Sequence, residues 1–327
     1  MIKYLLRQLL AWFIRIFLAI NITYFVANIF LDPSANYVER RPPISPERIQ
    51  QMLEPYNLSH NEPLLHRWWD WLTGVVTRWD WGLSPIGGSV NEQIAFRVGV
   101  SAQLMLGATI IAFIIGVALG VYSASRQYKL GDRVVQVASI IGLNTSIVVV
   151  ALVVVFIAIQ ANRSLGWTLF FVTGSGSIGV EGFGPMLVDK LQHLVLPSIC
   201  LIFISWASYT MLQRSLLLDN ISADYVRTAR AKGLPQAVAI RRHALRTSMI
   251  PVMVSFAFSI PGIFTGAMLS ENIFAWNGMG RYMVTTIYGN DIHGAVAVAA
   301  FSSLMVAIGA VLSDLAVVWL DPRVRVN

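Results

Sequence analysis

Residues 99 to 123, 134 to 160 and 249 to 270 contain no Asp, Glu, Lys or Arg. A helix needs about 20 mostly apolar residues to cross ~30 Å of hydrocarbon, and each of these runs is long enough. Residues 194 to 213 and 294 to 313 are also uncharged and about as long. Residues 9 to 31 are interrupted only by Arg15, whose side chain can snorkel to the headgroups. The expectation is an all-α polytopic membrane protein with six transmembrane helices. The first run is too long for a signal-peptide core, and no small-residue cleavage site follows it, so a signal peptide is not expected.

Basic residues set the orientation. Lys3 and Arg7 precede the first span; Arg126, Lys129 and Arg133 lie between the second and third; Arg323 and Arg325 follow the last. Seven more (Arg214, Arg227, Arg230, Lys232, Arg241, Arg242, Arg246) lie between the fourth and fifth spans. The two shorter loops on the other side hold only Arg163, Lys190 and Arg281. Positive-inside bias therefore puts both termini in the cytoplasm, the long 32 to 97 loop being discounted because long loops cross regardless of charge. The net charge of +7 (24 basic, 17 acidic residues) is thus mostly topology. It also favours anionic lipid headgroups, and nucleic acid is not an expected partner. The single cysteine, Cys200, excludes an internal disulfide.

The outer loop holds Pro42, Pro43, Pro46, Pro55 and Pro63, then the run Arg67 to Gly74 with Trp68, Trp69 and Trp71, then Trp79 and Trp81. Its second half is expected to be ordered. Indoles suit the headgroup interface, so anchoring there is the preferred reading, with a surface for an outer partner as the alternative. Neither Asp70 nor Asp80 has a second acid placed for acid/base chemistry.

A charged island, Asp224-Tyr225-Val226-Arg227-Thr228-Ala229-Arg230-Ala231-Lys232-Gly233-Leu234-Pro235, separates the fourth and fifth spans. Ser222 is the expected N-cap, Asp224 complements the dipole of the first turn, and Gly233 with Pro235 stops the helix. Pro235 can begin a second helix through Arg241, Arg242, His243 and Arg246. Tyr225, Ala229 and Lys232 share a face, and small neighbours admit a partner's backbone. A basic helix resting on anionic lipid fits the composition equally well.

The island, with Arg242-His243-Ala244-Leu245-Arg246 and Ile250-Pro251 downstream, resembles the cytoplasmic coupling loop of oligopeptide, dipeptide and nickel ABC importer permeases, in their B-type subunit. Arg67 to Ser84, Glu271 to Arg281 and Leu320 to Arg325 resemble further segments of that family, so the likeness covers nearly the whole chain. Three departures stand out. Asn144-Thr145-Ser146 replaces a Ser-x-Pro pattern in the third span, so no proline kink is expected there. Leu31-Asp32-Pro33 replaces Gly-Asp-Pro, and Arg227 stands where the coupling motif usually leads with an acid.

The resemblance implies a type I ABC importer permease fold: an N-terminal segment and first span (1–31), an extracytoplasmic loop (32–98), a five-helix core (99–320) with a coupling loop at 219–248, and a tail at 321–327. It implies the bacterial cell membrane and one half of a heterodimeric pore. The implied partners are a second homologous permease, two cytoplasmic ABC ATPase subunits or one fused ATPase, an extracytoplasmic substrate-binding protein and membrane lipids. Asp224, Tyr225, Arg227, Thr228, Ala229, Arg230, Lys232 and Gly233 would couple to the ATPase, chiefly by packing of Tyr225, Ala229 and Gly233. No cofactor is expected on this chain, ATP and Mg belonging to the ATPases. Its four lysines, Lys3, Lys129, Lys190 and Lys232, never follow glycine, which excludes a Walker A loop. Peptides are the implied substrate; nickel chelates, glutathione and oligosaccharides are alternatives within the frame.

For the pathway or gate the sequence offers Ser205, Tyr209 and Gln213 in span four, Ser259, Gly262 and Gly266 in span five, and Glu271 and Asn272 beyond it. Ser255, Ser259, Gly262, Gly266 and Ser270 form one small-residue face, which equally reads as a packing interface. His193 and His293 are expected to be structural, and no cluster shows metal-ligand spacing. An intramembrane hydrolase is disfavoured because Gly174-Ser175-Gly176-Ser177-Ile178-Gly179 is not Gly-x-Ser-x-Gly. A proton-coupled carrier would show mid-span carboxylates or inverted repeats, and neither is evident.

Overall fold

The computed structural model describes residues 2–38, 41–265 and 267–320, with side chains described within 7–38, 41–263 and 267–315. Gly266 and the 321–327 tail lie outside the described residues, and so do the expectations attached to them.

The chain runs through α1 (Ile2–Phe30), α2 (Ala35–Val38), α3 (Pro46–Leu53), α4 (Leu64–Arg78), β1 (Leu83–Ser84), β2 (Gly88–Ser89), α5 (Val90–Ser125), α6 (Leu130–Asn144) and α7 (Ile147–Leu165). It continues through α8 (Phe183–Ile221), α9 (Asp224–Ala231), α10 (Gln236–Ala239), a π-helical turn (Ile240–Ala244), α11 (Leu245–Thr265), α12 (Met268–Ile273), α13 (Met279–Tyr288) and α14 (Ile292–Leu320). The all-α expectation holds, since the only strands among the described residues are the β1–β2 pair. Among the described residues, six helical stretches are long and apolar enough to cross a membrane: 7–38, 90–125, 147–165, 183–221, 236–273 and 292–315. Helices meet that demand because they satisfy every backbone N–H and C=O within one segment.

The third span departs from expectation. The uncharged run 134 to 160 is two helices, broken at Thr145–Ser146 without a proline. Asn144 and Thr145 turn their side chains back onto the Ile140 and Ile141 carbonyls at 2.7 Å each. Thr145 then goes extended (ψ 127°), and Ser146 restarts the helix as an N-cap, accepting from the Val148 N–H. Side-chain competition for backbone partners breaks the helix here.

Two compact units emerge, Met1–Ser101 with Phe264–Met268 and Asn277–Ala307, and Ala102–Ile263 with Leu269–Trp276 and Ile308–Asn327. In the first, the 32–97 loop is folded around a core. Ser45 caps α3 in front of Pro46, Tyr24 stacks on Trp71 with centroids 4.8 Å apart, and both join Leu53, Leu58, Trp81, Val90, Ile292 and Val296 in a buried core. The Trp71 Nε1 donates to the Trp81 carbonyl at 3.2 Å and the Trp68 Nε1 to Asn21 Oδ1 at 2.7 Å. Interfacial anchoring is therefore corrected for Trp71 and Trp81, which are buried in this core; Trp68 packs against it half-buried, and Trp69 and Trp79 are exposed. Asp291 is buried and caps α14 by accepting from the Gly294 N–H at 3.0 Å. Burial pushes its carboxyl above the ordinary value.

In the second unit, α5 lies along α8 in the same direction. A Cβ on Gly116 would stand 2.5 Å from the Tyr209 Cβ and 2.8 Å from the Trp206 carbonyl oxygen; one on Gly120 would stand 2.8 Å from Gln213 and from the Thr210 carbonyl. This glycine pair at i and i+4 lets the two backbones touch. On the antiparallel side of α8, Gly142 of α6 meets Ala207 in the same way. Phe113 of α5 bridges Tyr209 (5.4 Å) and Phe256 of α11 (4.4 Å).

Candidate functional site

The charged island forms helix α9, set off from α8 by one tight turn. Ala223, with φ −68° and ψ 149°, occupies the N-cap without a side-chain bond, so the expected cap is corrected: Ser222 ends α8 and donates to the Asp219 carbonyl. Asp224 stays in the first turn, 3.8 Å from Arg227 in an exposed pair of little energetic consequence. The C-terminal closure has the two bonds of a Schellman motif, Gly233 N–H to Arg230 O at 2.9 Å and Leu234 N–H to Ala229 O at 3.3 Å. Gly233 sits at φ +89°, which only glycine adopts at no steric cost.

One face of α9 is buried, and it is not the face that spacing alone selected. Val226 and Ala229 turn into a cluster with Ala124, Leu217, Ala239 and Ala244, flanked by Val121, Leu218, Ile221 and Leu234. Ala229 is therefore corrected from a docking contact to an internal one, because the apolar i, i+3 pair is what holds α9 against α5 and α8. Tyr225 is exposed, with its hydroxyl hydrogen-bonded to Asn220, and Asp224, Arg227, Thr228, Arg230, Lys232 and Gly233 are exposed beside it. Arg227, Arg230, Gly233, Leu234, Pro235 and Gln236 line an open depression of about 480 Å³. The result is a short basic helix with a fixed seat and a free outer face.

Next to that seat is a polar cluster with no counterpart among the residues singled out from the sequence. The Asp132 carboxylate, fully buried at the start of α6, accepts from Arg214 Nε at 2.8 Å and Nη2 at 3.0 Å, Gln136 Nε2 at 2.9 Å, the Tyr128 N–H at 2.9 Å and the Ser123 hydroxyl. Arg214 also donates to Ser123 Oγ at 3.1 Å. The forked Arg214 contact, with the other donors behind it, holds the Asp132 carboxyl well below the usual carboxylate range. In the sequence Arg214 counted only as one topology charge; its position directly after the uncharged run 194 to 213 was the signal that could have marked it.

The pathway candidates scatter. Tyr209 and Gln213 are buried packing residues, Gln213 resting on Gly120 and donating to Ser248 Oγ at 3.0 Å, so both are corrected from pathway lining to interhelical contacts. Ser205 is half-buried, as is Gly262, and Ser259 donates to the Phe256 carbonyl at 2.7 Å. The small-residue face expected across 255 to 270 is not one helix, since α11 ends at Thr265 and Ser270 belongs to α12. Glu271 is fully buried in α12 while Asn272 is exposed. His193 stacks on Phe171 at 4.2 Å and lies 2.8 Å from the Asp189 carbonyl, while His293 packs on Gly82. Both are buried in packing contacts. Glu62, His66 and Asp70 do converge on the exposed surface of the 32–97 segment, His66 Nδ1 lying 3.4 and 3.2 Å from the two carboxylates, which corrects the expectation that no such spacing exists.

Residues 116–326 match the family described as binding-protein-dependent transport system inner membrane component. The chain belongs to this family of transport permeases and is a multi-pass membrane protein. It is 36% identical, over 100% of both chains, to a Mycobacterium tuberculosis protein named oligopeptide transport system permease protein OppB. It is 32% identical to the Bacillus subtilis oligopeptide permease AppB, covering 99% of this chain and 100% of that one. A Lactococcus lactis dipeptide permease, DppB, is 28% identical with the same coverage.

Proposed function

We propose that this chain is the transmembrane permease subunit of an ATP-driven importer of oligopeptides or dipeptides in a bacterial cell membrane, with both termini and α9 in the cytoplasm. The observation that carries this reading is α9 itself, seated on α5 and α8 through Val226 and Ala229 while Tyr225, Arg227, Thr228, Arg230, Lys232 and Gly233 face outward. A helix held in this way can enter a cleft on an ATPase and move with it as a lever. The chain would form half of a pore with a second homologous permease. Two ATPase subunits, or one fused ATPase, would supply ATP and Mg, and an extracytoplasmic binding protein would deliver the peptide. ATP-driven closure of the ATPases would open the pore outward, and hydrolysis would reset it.

The test is uptake of labelled di- to pentapeptides by cells with and without this chain, with the ATP pool and the proton gradient collapsed separately. Uptake should be lost on deletion and on ATP depletion but survive collapse of the gradient. Dependence on the gradient alone would refute the mechanism. Gly233→Asp, on the exposed end of α9, should cut uptake at least tenfold while leaving membrane insertion intact. Substitution of Ala229 is unsuitable for this purpose, because it would unseat the helix.

A further inference from the structure

We propose that the Asp132–Arg214 pair is the joint through which displacement of α9 reaches the corner between α5 and α6, with Arg214 as the positioning residue. The inference rests on the importer reading above.

The two contacts made by the end of α8 differ in kind. Toward α9 the contact is apolar: Leu217, Leu218 and Ile221 of α8, with Val121 and Ala124 of α5, surround Val226 and Ala229. Such a surface resists separation but tolerates small sliding, since methyl groups carry no directional preference. Toward α6 the contact is ionic and directional. Arg214 lies one turn before Leu217 and Leu218, and Ser123 lies between Val121 and Ala124, so the apolar seat and the ionic contact share the same turns of α5 and α8. The Asp132 carboxylate takes both prongs of the guanidinium, the Ser123 hydroxyl, the Gln136 amide and the Tyr128 N–H. These donors come from α8, the end of α5, the connecting turn and α6, so a single buried anion fastens three helices and the turn that joins two of them. A carboxylate held from so many directions cannot slide; the elements around it move together or the joint breaks. Farther along, α6 meets α8 where Gly142 faces Ala207. That contact is between small apolar groups and carries no charge. Tilting of α8 by α9 would therefore be passed to α6 at Asp132.

The experiment uses the complete transporter, purified through a tag on this chain and placed in vesicles with its binding protein, and reads uptake of a labelled tetrapeptide per ATP hydrolysed. Asp132→Asn and Arg214→Gln should assemble and hydrolyse ATP within about twofold of wild type but lower the peptide-to-ATP ratio tenfold or more. Arg214→Lys, which keeps the charge and loses the fork, should fall between. If the first two fail to assemble, Arg214→Lys and Ser123→Ala decide, each expected to lower the ratio severalfold. An unchanged ratio in the assembled variants, or uptake and hydrolysis falling in proportion, would overturn the joint alone. A wild-type complex without ATP-driven tetrapeptide uptake would overturn the importer reading and the joint with it.

Discussion

Asp132 and Asp291 show how burial of the same side chain leads to opposite outcomes. Both are fully buried, yet Asp132 is held below its ordinary range by Arg214 and the donors behind it, while Asp291 is pushed above it by desolvation that its few donors do not offset. For Asp132, a folded-state pKa below the unfolded one means that its contribution to stability is complete above the ordinary carboxylate range and is lost only in strong acid. The joint is therefore insensitive to pH across about 5 to 8. For Asp291 the folded value lies above the unfolded one, so stability falls as pH rises through the window between them. Asn caps a helix as well as Asp does, and it carries no charge. Asp291→Asn should accordingly raise the melting temperature of the purified chain by about 2–4 °C near pH 8 and leave it unchanged near pH 4. Identical pH profiles for the two proteins would show that Asp291 is not destabilised by its site.

At the scale of elements, the α5–α8 contact makes the sharpest prediction. Gly120→Leu would drive a side chain into Gln213 and the Thr210 carbonyl, where nothing can move cheaply. Overpacking of this kind costs about 1–3 kcal/mol, and the melting temperature should fall by several degrees. Gly107→Ala, on the same helix with nothing within 4 Å of the new Cβ, should leave it unchanged or slightly higher. These two glycines look alike in the sequence; their difference depends on which face of α5 meets α8. The same limit explains what the sequence could and could not convey elsewhere. Spans were legible because charged residues are excluded from lipid, and that exclusion is written residue by residue. The break at Thr145–Ser146 was not, because hydropathy measures polarity and is blind to a side chain bonding back to the helix. The first half of the 32–97 loop carried a readable start signal in Ser45-Pro46-Glu47, a cap followed by proline and an acid. In α9 the stop at Gly233 was legible from local chemistry. The inward face was not, since spacing groups Val226 with Ala229 and Ala229 with Tyr225 equally well, and only the position of Leu217 decides between them. Arg214 and Asp132 are 82 residues apart, and their pairing exists only once α6 has packed along α8.

At the scale of the whole molecule, large apolar faces remain uncovered. Phe13 and Phe17 of α1 and Leu152, Val153, Phe156 and Ile157 of α7 are all exposed, as suits helices that meet lipid or another membrane subunit. Concentration of the basic residues in alternate loops favours one sense of insertion, the one in which the proposed lever α9 faces the cytoplasm. Ile178 is fully exposed in the 166–182 connection and Thr228 is exposed on α9, so each can carry a reporter without disturbing packing. The buried Cys200 is first replaced by alanine, which leaves no other thiol. A cysteine at position 178 should then react with a membrane-impermeant maleimide in intact cells, and one at 228 should react only after permeabilisation. The reverse pattern would place α9 outside, beyond the reach of any ATP-driven partner, and the lever would have nothing to push it.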